Sequence, residues 1–531
     1  MSRLMVLFAL SVLLAACDKG LVPDPSGGLP PGDDEIPVTG AEVSHGMIVL
    51  GDKLENPYTT ENMRDALVSL YPTKSRNEVR TSHLYVRFLP AGENEFEALL
   101  SAGLDLVDYP VDYEILVDGD YYRDPSLGED SYTWQYAVVP HDFEFPDIRY
   151  EILDECFITE TDPGSRGEDG IDWEAVEREA FCMTGNGDML APETRGPRVN
   201  PSGRITIVDD DAFGGKPVGV AGVRVRCNTF VKFSNTFTDR DGYYTIPKTF
   251  SAKNLKYRLV FKNEKGFAIG FNLILQPASA SALGKGPSEG LSVTITRNSD
   301  RTLFLRSVVN NAAYDYIARC SEEDMDLTLP PGDLRIWLLS KLDASSAVML
   351  HHKVGVSHSL VKDFLGYFAS LIAFFAPDIT IGTRNMDSYS DAYRATCHEL
   401  AHSSHFAQVG LDYWNNYVEY ILTSYVTMGG MTYGDGSGRY AGHCEVGEMW
   451  AYYLESIMYQ ERYGGPVPQF GTSYWFCPQI FRYLDERGME RSDFLEAMQA
   501  DVTDISALQG KLSLLNPSRS RMIEQVFFRY R

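Results

Sequence analysis

Residues 388–410, SYSDAYRATCHELAHSSHFAQVG, decide the C-terminal fold and the chemistry expected of this chain. The stretch predicts a helix over residues 391–408 that is closed by Gly410, with Asp391 as its cap or as an acid favouring the helix dipole. His398 and His402 are four residues apart, so both imidazoles lie on one face of the helix, one turn apart. Such a pair can hold one Zn²⁺, with Glu399 beside the water that the ion binds. Two histidines need a third protein ligand to make a catalytic zinc site.

We expect the third ligand to come from outside this helix, because one straight helix rarely delivers three ligands to one ion. The metzincin pattern HExxHxxGxxH fails, because His405 stands at the glycine position and Gln408 at the last histidine position. His405 shares the face of the two histidines, but it lies about 4.5 Å further along the axis than His402. We expect His405 to line the site rather than to bind the ion.

A second helix can supply the ligand. Residues 441–464, AGHCEVGEMWAYYLESIMYQERYG, predict a helix over about 443–462. Small residues at Cys444, Gly447 and Ala451 would let this helix approach the first one closely, with Glu448 in the middle of the same face. Glu448 is the predicted ligand, and the alternatives are Glu445, Glu419 and Glu455.

The arrangement resembles that of gluzincin peptidases, in which an E-x-x-A segment provides the third ligand. The resemblance implies that Glu399 acts as the general base on the water and then carries the proton to the leaving amine. A donor should face the tetrahedral oxygen, and Asp391 and Asp412 are candidate partners of the histidines. The candidate donors between the two helices are Tyr433, Tyr440 and His443.

The N-terminus carries a targeting signal. Arg3 precedes an apolar run over residues 4–14, and Leu14-Ala15-Ala16-Cys17 resembles a bacterial lipobox. The resemblance implies a signal peptide over residues 1–16, acylation of Cys17, and a flexible Pro- and Gly-rich linker over 17–42. We therefore expect a lipid-anchored protein of the bacterial cell envelope, at the outer membrane or the cell surface.

Charge and cysteine content restrict the partners and the crosslinks. The 531 residues carry a net charge of −27, which repels phosphate backbones, so we expect no nucleic-acid partner. The 8 cysteines form no CxxC pair, so we expect no structural zinc site of that kind. A disulfide between Cys397 and Cys444 is an open alternative to two buried thiols. The apolar run 364–376 is too short to span a membrane and predicts a buried helix.

Three domains follow the linker in this multidomain α+β chain. Residues 43–197 predict a mixed α/β domain, similar to an N-terminal domain of exported Bacteroidota lipoproteins, with a long loop or linker over 160–200. Residues 198–290 alternate with period two and contain the turn TDRDGYY at 238–244. They resemble a carboxypeptidase regulatory-like domain, a β-sandwich of the transthyretin-like kind. Residues 291–531 predict a mainly helical, zincin-like domain, with short strands before the HELAH helix.

These expectations combine into a membrane-anchored zinc metallopeptidase that hydrolyses peptide bonds of a protein or peptide substrate. The alternative is a catalytically inactive surface binding or adhesion lipoprotein that retains a zincin-like domain. A third possibility is that the N-terminal domain is a prodomain or a built-in inhibitor, in which case cleavage is expected near residues 160–200.

Overall fold

The structure, a computed structural model, describes most of the chain from residue 45 onward. The described residues are 45–74, 76–127, 132–159, 170–192, 198–270, 278–340, 344–354, 377–427, 433–467, 470 and 474–530. The predicted signal peptide, Cys17, the linker 17–42 and the apolar run 364–376 lie outside these ranges. Within them, no helix is both long and apolar enough to cross a bilayer.

The chain is a multidomain α+β protein with a helical C-terminal region, as expected. The N-terminal part contains one two-stranded and one three-stranded antiparallel sheet, ordered β1-β3 and β4-β2-β5. Its elements are β1 (Val49–Lys53), α1 (Thr60–Leu70), β2 (His83–Phe88), α2 (Glu93–Ser101), β3 (Tyr113–Val117), β4 (Gln135–Pro140), β5 (Tyr150–Cys156) and α3 (Trp173–Met183).

Two expectations for this part need correction. The predicted loop over 160–200 contains the helix α3, which Asp172 caps by accepting a hydrogen bond from the Ala175 N–H, and which packs against α1. Apolar residues on one side of α3, among them Val176 and Phe181, are buried, and this burial outweighs the high local content of Gly and charge. On α1, the spacing of Met63, Ala66, Leu67 and Leu70 predicts one apolar face, but Leu70 lies in the last turn and is exposed.

The middle of the chain is all β. The predicted turn at 238–244 is confirmed, because Asp239 Oδ1 accepts hydrogen bonds from the N–H groups of Asp241 and Tyr243, both at 2.9 Å. Gly242 has φ +84°, and a Cβ at this position would lie 2.0 Å from the Ile205 carbonyl oxygen, so only glycine fits. The strands are β6 (Ser202–Val208), β7 (Pro217–Gly219), β8 (Val223–Thr229), β9 (Lys232–Phe237), β10 (Tyr243–Thr245), β11 (Asn254–Asn263), β12 (Ala268–Ile269), β13 (Ala280–Pro287) and β14 (Val293–Ile295).

One sheet continues from this β region into the C-terminal region. Strand β12 pairs in parallel with β15 (Arg335–Leu339), which pairs in parallel with β16 (Ile379–Gly382). The sheet order is β16-β15-β12-β11-β8-β9, with β13 on β11. One hydrophobic cluster, running from Ile205 to Phe527, joins the β region to the helices. The predicted domain limits at 197 and 290 remain predictions.

One long helix follows β14, and after β15 and β16 the described chain is mainly helical to its end. The long helix α4 matches the apolar spacing at 301–320, and α5 directly follows β16 with only a short connection. The helices are α4 (Arg301–Cys320), α5 (Tyr389–Val409), α6 (Leu411–Thr427), α7 (Ala441–Tyr463), α8 (Gln479–Glu486), α9 (Arg491–Ala497), α10 (Ile505–Leu515) and α11 (Ser520–Arg529).

The stretch SSAVML at 345–350 predicts one of the short strands before the HELAH helix, and this prediction is wrong. A single bridge joins Ser346 to Thr380 of β16. Met349 then adopts φ +59°, which no extended strand allows, and its N–H donates to the Asp378 carbonyl at 2.9 Å. The segment therefore turns back at the edge of the sheet instead of extending it.

Buried ion pairs connect the N-terminal part to the rest of the chain. Lys232 Nζ lies 2.9 Å from Glu177 Oε2, and both side chains are buried. Arg258 pairs with Asp118 in a similar manner. Removing one partner of a buried pair is strongly destabilising, so separation of the N-terminal part would leave uncompensated charges in the β region.

Candidate metal centre

Helix α5, which carries the HELAH residues, has a well-defined start and end. Ser388 caps the helix by accepting a hydrogen bond from the Asp391 N–H at 3.1 Å, so Asp391 lies in the first turn and favours the dipole instead of capping. Gly410 ends the helix with φ +83°, as the sequence predicted. His398 and His402 lie on one face, with ring centroids 4.9 Å apart.

Helix α7 brings Glu448 to that face. α5 and α7 pack against each other, and Gly447 of the predicted small-residue face lies near His405 of α5 and Tyr417 of α6. At Gly447, an added Cβ would lie 3.4 Å from the Tyr417 ring and 3.8 Å from His405 Nδ1, so a side chain longer than alanine would push the two helices apart.

The three predicted ligands converge. Glu448 Oε2 lies 3.5 Å from His398 Nε2, and Glu448 Oε1 lies 3.4 Å from His402 Nε2. One potential ligand atom from each residue lies within 4.8 Å of the others, which makes this one of the groups of described residues that could hold a metal ion. Two imidazoles and one carboxylate form the donor set of many three-ligand zinc sites.

The donor atoms are suited to a cation. His398 Nε2 and Glu448 Oε2 are both buried and face each other at 3.5 Å, so both atoms point to the place where an ion would lie. Burial opposes ionisation of Glu448, but the charges and hydrogen bonds of the two histidines outweigh it and lower its pKa to about 2. Glu448 is therefore a carboxylate at neutral pH, as a metal ligand must be.

The pKa values of the two histidines are shifted in opposite directions. Burial alone would lower the pKa of His398, but hydrogen bonds to Glu448 and Glu455 raise it to about 9. Burial dominates at His402 and lowers its pKa. A divalent ion bound between them would compete with protons for the ligand atoms of both histidines and Glu448.

The carboxylate that orients His398 was not the one expected. Glu455, one of the alternative ligands, accepts a hydrogen bond from His398 Nδ1 at 2.9 Å. Its other oxygen lies 2.9 Å from Arg394 Nε. Glu455 thereby turns His398 Nε2 toward Glu448, a role that the sequence analysis assigned to Asp391 or Asp412. Its position seven residues, or two helical turns, after Glu448 is a signal that could have suggested this.

Sequence reasoning also missed Tyr417. Its hydroxyl donates a hydrogen bond to Glu448 Oε1, and its ring lies 5.7 Å from the His402 ring. Tyr417 belongs to α6, whose aromatic residues resemble ordinary core residues in the sequence. Since α6 follows α5 after a single glycine, it folds back on the same site.

His405 lies beside the centre, not among its ligands. It is buried against the rings of Tyr413 and Trp414, and neither ring nitrogen has a hydrogen-bond partner among the described residues. Burial lowers its pKa to about 3, so the ring is neutral. This agrees with the expectation that His405 lines the site.

The three candidate donors occupy different places. His443 contacts the rings of Tyr413 and Tyr440, and burial lowers its pKa to about 4. Tyr440, at φ +67°, precedes the first turn of α7. Tyr433 packs against Tyr474. These contacts place none of the three beside Glu448, whereas Tyr417 touches it.

The cysteines next to the ligands are not crosslinked. Cys397 and Cys444 are both buried thiols with no disulfide between them, so the structure favours the alternative of two buried thiols. Burial raises the pKa of Cys444 well above its usual value, which keeps the thiol protonated. Cys397 lies near Tyr316 of α4, and Cys444 lies near Tyr413 of α6.

Comparisons of the chain with known proteins give no match. The chain matches no family model, no curated protein and no solved structure.

Proposed function

We propose that the chain is a zinc-dependent peptidase whose ion is held by His398, His402 and Glu448. The observation that carries the proposal is the convergence of these side chains, contributed by two helices, on one point beside Glu399. Zinc bound there would supply a Lewis acid that polarises a scissile carbonyl and lowers the pKa of water to about 7.

The protein side chains have separate roles in this proposal. Glu399 takes the proton of the attacking water and delivers it to the leaving amine. Its carboxylate is near enough to raise the pKa of His398 by its charge. Glu455 holds His398 by its Nδ1–H, and Tyr417 holds Glu448, so both ligands keep one orientation.

The proposal extends to the types of the domains and to the location of the protein. The β region at 198–290 would be a transthyretin-like sandwich of the carboxypeptidase regulatory-like kind, and residues 291–531 a zincin-like domain of gluzincin type. Lipidation at Cys17 would tether the enzyme to the cell envelope, where its substrates would be proteins or peptides.

The decisive experiment is hydrolysis of a broad peptide library by the mature protein and by Glu399→Gln. The variant should keep its zinc and lose at least about a hundredfold in rate, the usual contribution of a general base. Asp391→Asn, in the first turn of the same helix, is the matched control and should retain activity. Full activity of Glu399→Gln would refute the proposed chemistry.

One observation favours the competing function, a non-catalytic lipoprotein that retains a metal site. The side chains of His398, Glu399 and His402 are each 1% exposed, and Glu448 is 0% exposed. A peptide must reach the ion to be hydrolysed, whereas an ion that only stabilises the helix pair can stay buried. Zinc that raises the melting temperature, without cleavage of any library peptide, would support this second function.

A further inference from the structure

A second cluster of histidines and carboxylates lies at one edge of the large sheet. Asp333 precedes β15 and Asp378 immediately precedes β16. Because these strands are parallel neighbours, both residues lie at the same edge. The turn that contains His351 and His352 lies against this edge, where the Met349 N–H donates to the Asp378 carbonyl.

The four side chains face one another. His352 Nδ1 lies 2.9 Å from Asp378 Oδ1, and His352 Nε2 lies 3.1 Å from Asp333 Oδ1. His351 Nδ1 lies 3.6 Å from Asp378 Oδ2 and 3.8 Å from Asp333 Oδ2. The separations of 3.1 and 3.8 Å from Asp333 to the two imidazoles are close to the roughly 3.3 Å between ligand atoms around a tetrahedral ion with bonds of about 2.0 Å.

Asp378 is the fixed base of the cluster. It is buried, and its Oδ2 accepts the Arg335 backbone N–H at 3.0 Å. Its Oδ1 accepts from His352 Nδ1, which directs His352 Nε2 toward Asp333. Glu455 holds His398 at the first centre in the same way, and such carboxylate–histidine contacts accompany most histidine ligands of metal ions.

We propose that Asp333, His351 and His352 bind a second divalent transition-metal ion, with Asp378 orienting His352. The three residues form a group whose donor atoms lie within 4.8 Å of one another. His351 Nδ1 is buried without a hydrogen-bond partner among the described residues, so this nitrogen is open to an ion. The carboxylates of Asp333 and Asp378 both face the two imidazoles, and oxygen and nitrogen donors of this kind suit a divalent transition-metal ion.

The exposure of the cluster allows an ion to enter. Asp333 is exposed and both histidines are partly exposed, whereas the ligands of the first centre are buried. The second site should therefore exchange its ion faster than the first.

An ion here would stabilise the framework of the first centre. The segment 344–354 contacts α5, which carries two of the ligands, and α6, which carries Tyr417: Trp414 Nε1 donates to the Ala347 carbonyl at 3.0 Å, and Ser403 Oγ lies 3.4 Å from Met349 Sδ. The His352 ring also packs against Phe406 of α5. By bridging Asp333 to the turn, the ion would hold the segment against α5 and α6.

The test is the number of zinc ions bound per mature full-length chain, measured by titration with zinc and by elemental analysis after dialysis. The wild type should bind two. His351→Gln/His352→Gln and His398→Gln/His402→Gln should each bind one, and the combined variant none. His141→Gln, a change at an exposed histidine outside both clusters, is the control and should bind two.

Asp333→Asn separates loss of a metal ligand from loss of the fold, because the Asp333 side chain is exposed and its replacement should leave the fold unchanged. It should lose the weaker zinc equivalent, and Asp378→Asn should weaken that equivalent by about 10–100-fold. A second equivalent retained by both Asp333→Asn and the folded His351→Gln/His352→Gln variant would overturn the proposal. A wild type that binds one ion, lost only with His398 and His402, would also overturn it. A wild type that binds one ion, lost with His351 and His352 but not with His398 and His402, would support this site and count against the proposed peptidase centre.

Discussion

Glu455→Gln tests whether the buried carboxylate that accepts a hydrogen bond from His398 Nδ1 is needed for tight zinc binding. The side chain is 2% exposed, and its two oxygens contact His398 Nδ1 and Arg394 Nε, each at 2.9 Å. The amide keeps the shape but removes the charge that fixes the imidazole and makes it a stronger ligand.

Two magnitudes follow. Loss of such an outer carboxylate weakens metal binding by about 10–100-fold, which corresponds to about 1.4–2.7 kcal/mol. Arg394 also loses its buried counter-charge, and removing one partner of a buried pair costs about 3–5 kcal/mol of stability. Zinc affinity should therefore be measured by competition with a chromophoric chelator at a temperature where the variant is folded.

Two matched variants separate these effects. Glu461→Gln changes a partly exposed glutamate of the same helix, which pairs with Arg319 at 2.8 Å, and should leave zinc affinity unchanged. Arg394→Gln should reduce stability, but it should weaken zinc binding less than Glu455→Gln does, because His398 keeps its acceptor. Zinc affinity of Glu455→Gln within twofold of wild type would refute the reasoning.

Two further predictions concern the metal-free protein. Burial and the neighbouring histidines lower the pKa of His405 from 6.5 to about 3, so between these values only the unfolded chain takes up the proton, and the unfolding free energy should fall by about 2 kcal/mol from pH 7 to pH 5. His405→Leu should remove this part of the pH dependence in denaturant titrations, and an unchanged slope would contradict the assignment. Tyr417→Phe removes a hydrogen bond to the Glu448 carboxylate and should cost about 1.5–3 kcal/mol, whereas Tyr413→Phe on the same helix removes a bond to a neutral carbonyl and should cost about 0.5–1.5 kcal/mol. Equal losses in chemical denaturation would show that Glu448 is not charged.

The sequence predicted the parts of the site that depend on helical spacing. The separation of His398 and His402 places them on one face of α5. The small residues around Glu448 in the sequence made it the predicted third ligand, contributed by α7. Tyr417 and Glu455 were missed because their roles depend on how α6 and α7 rotate against α5, which no local pattern encodes.

The second cluster could not be seen in the sequence for a related reason. Asp333 and Asp378 are 45 residues apart and meet only because β15 and β16 pair in parallel. The failed strand at 345–350 has the same origin, because its apolar side chains are buried by tertiary contacts rather than by sheet pairing. The deep burial of the first centre also follows from packing of three helices, and spacing along one helix does not reveal it.

Anomalous diffraction at the zinc edge, from crystals of the mature protein grown with zinc, tests the central claim most directly. The account predicts a peak about 2.0–2.2 Å from one nitrogen of His398, one nitrogen of His402 and one oxygen of Glu448. It also predicts that Glu448→Gln abolishes or strongly weakens this peak while Glu445→Gln, on the same helix, preserves it. Absence of a peak between these three side chains in the wild-type crystals, at zinc concentrations that saturate binding in solution, would contradict it.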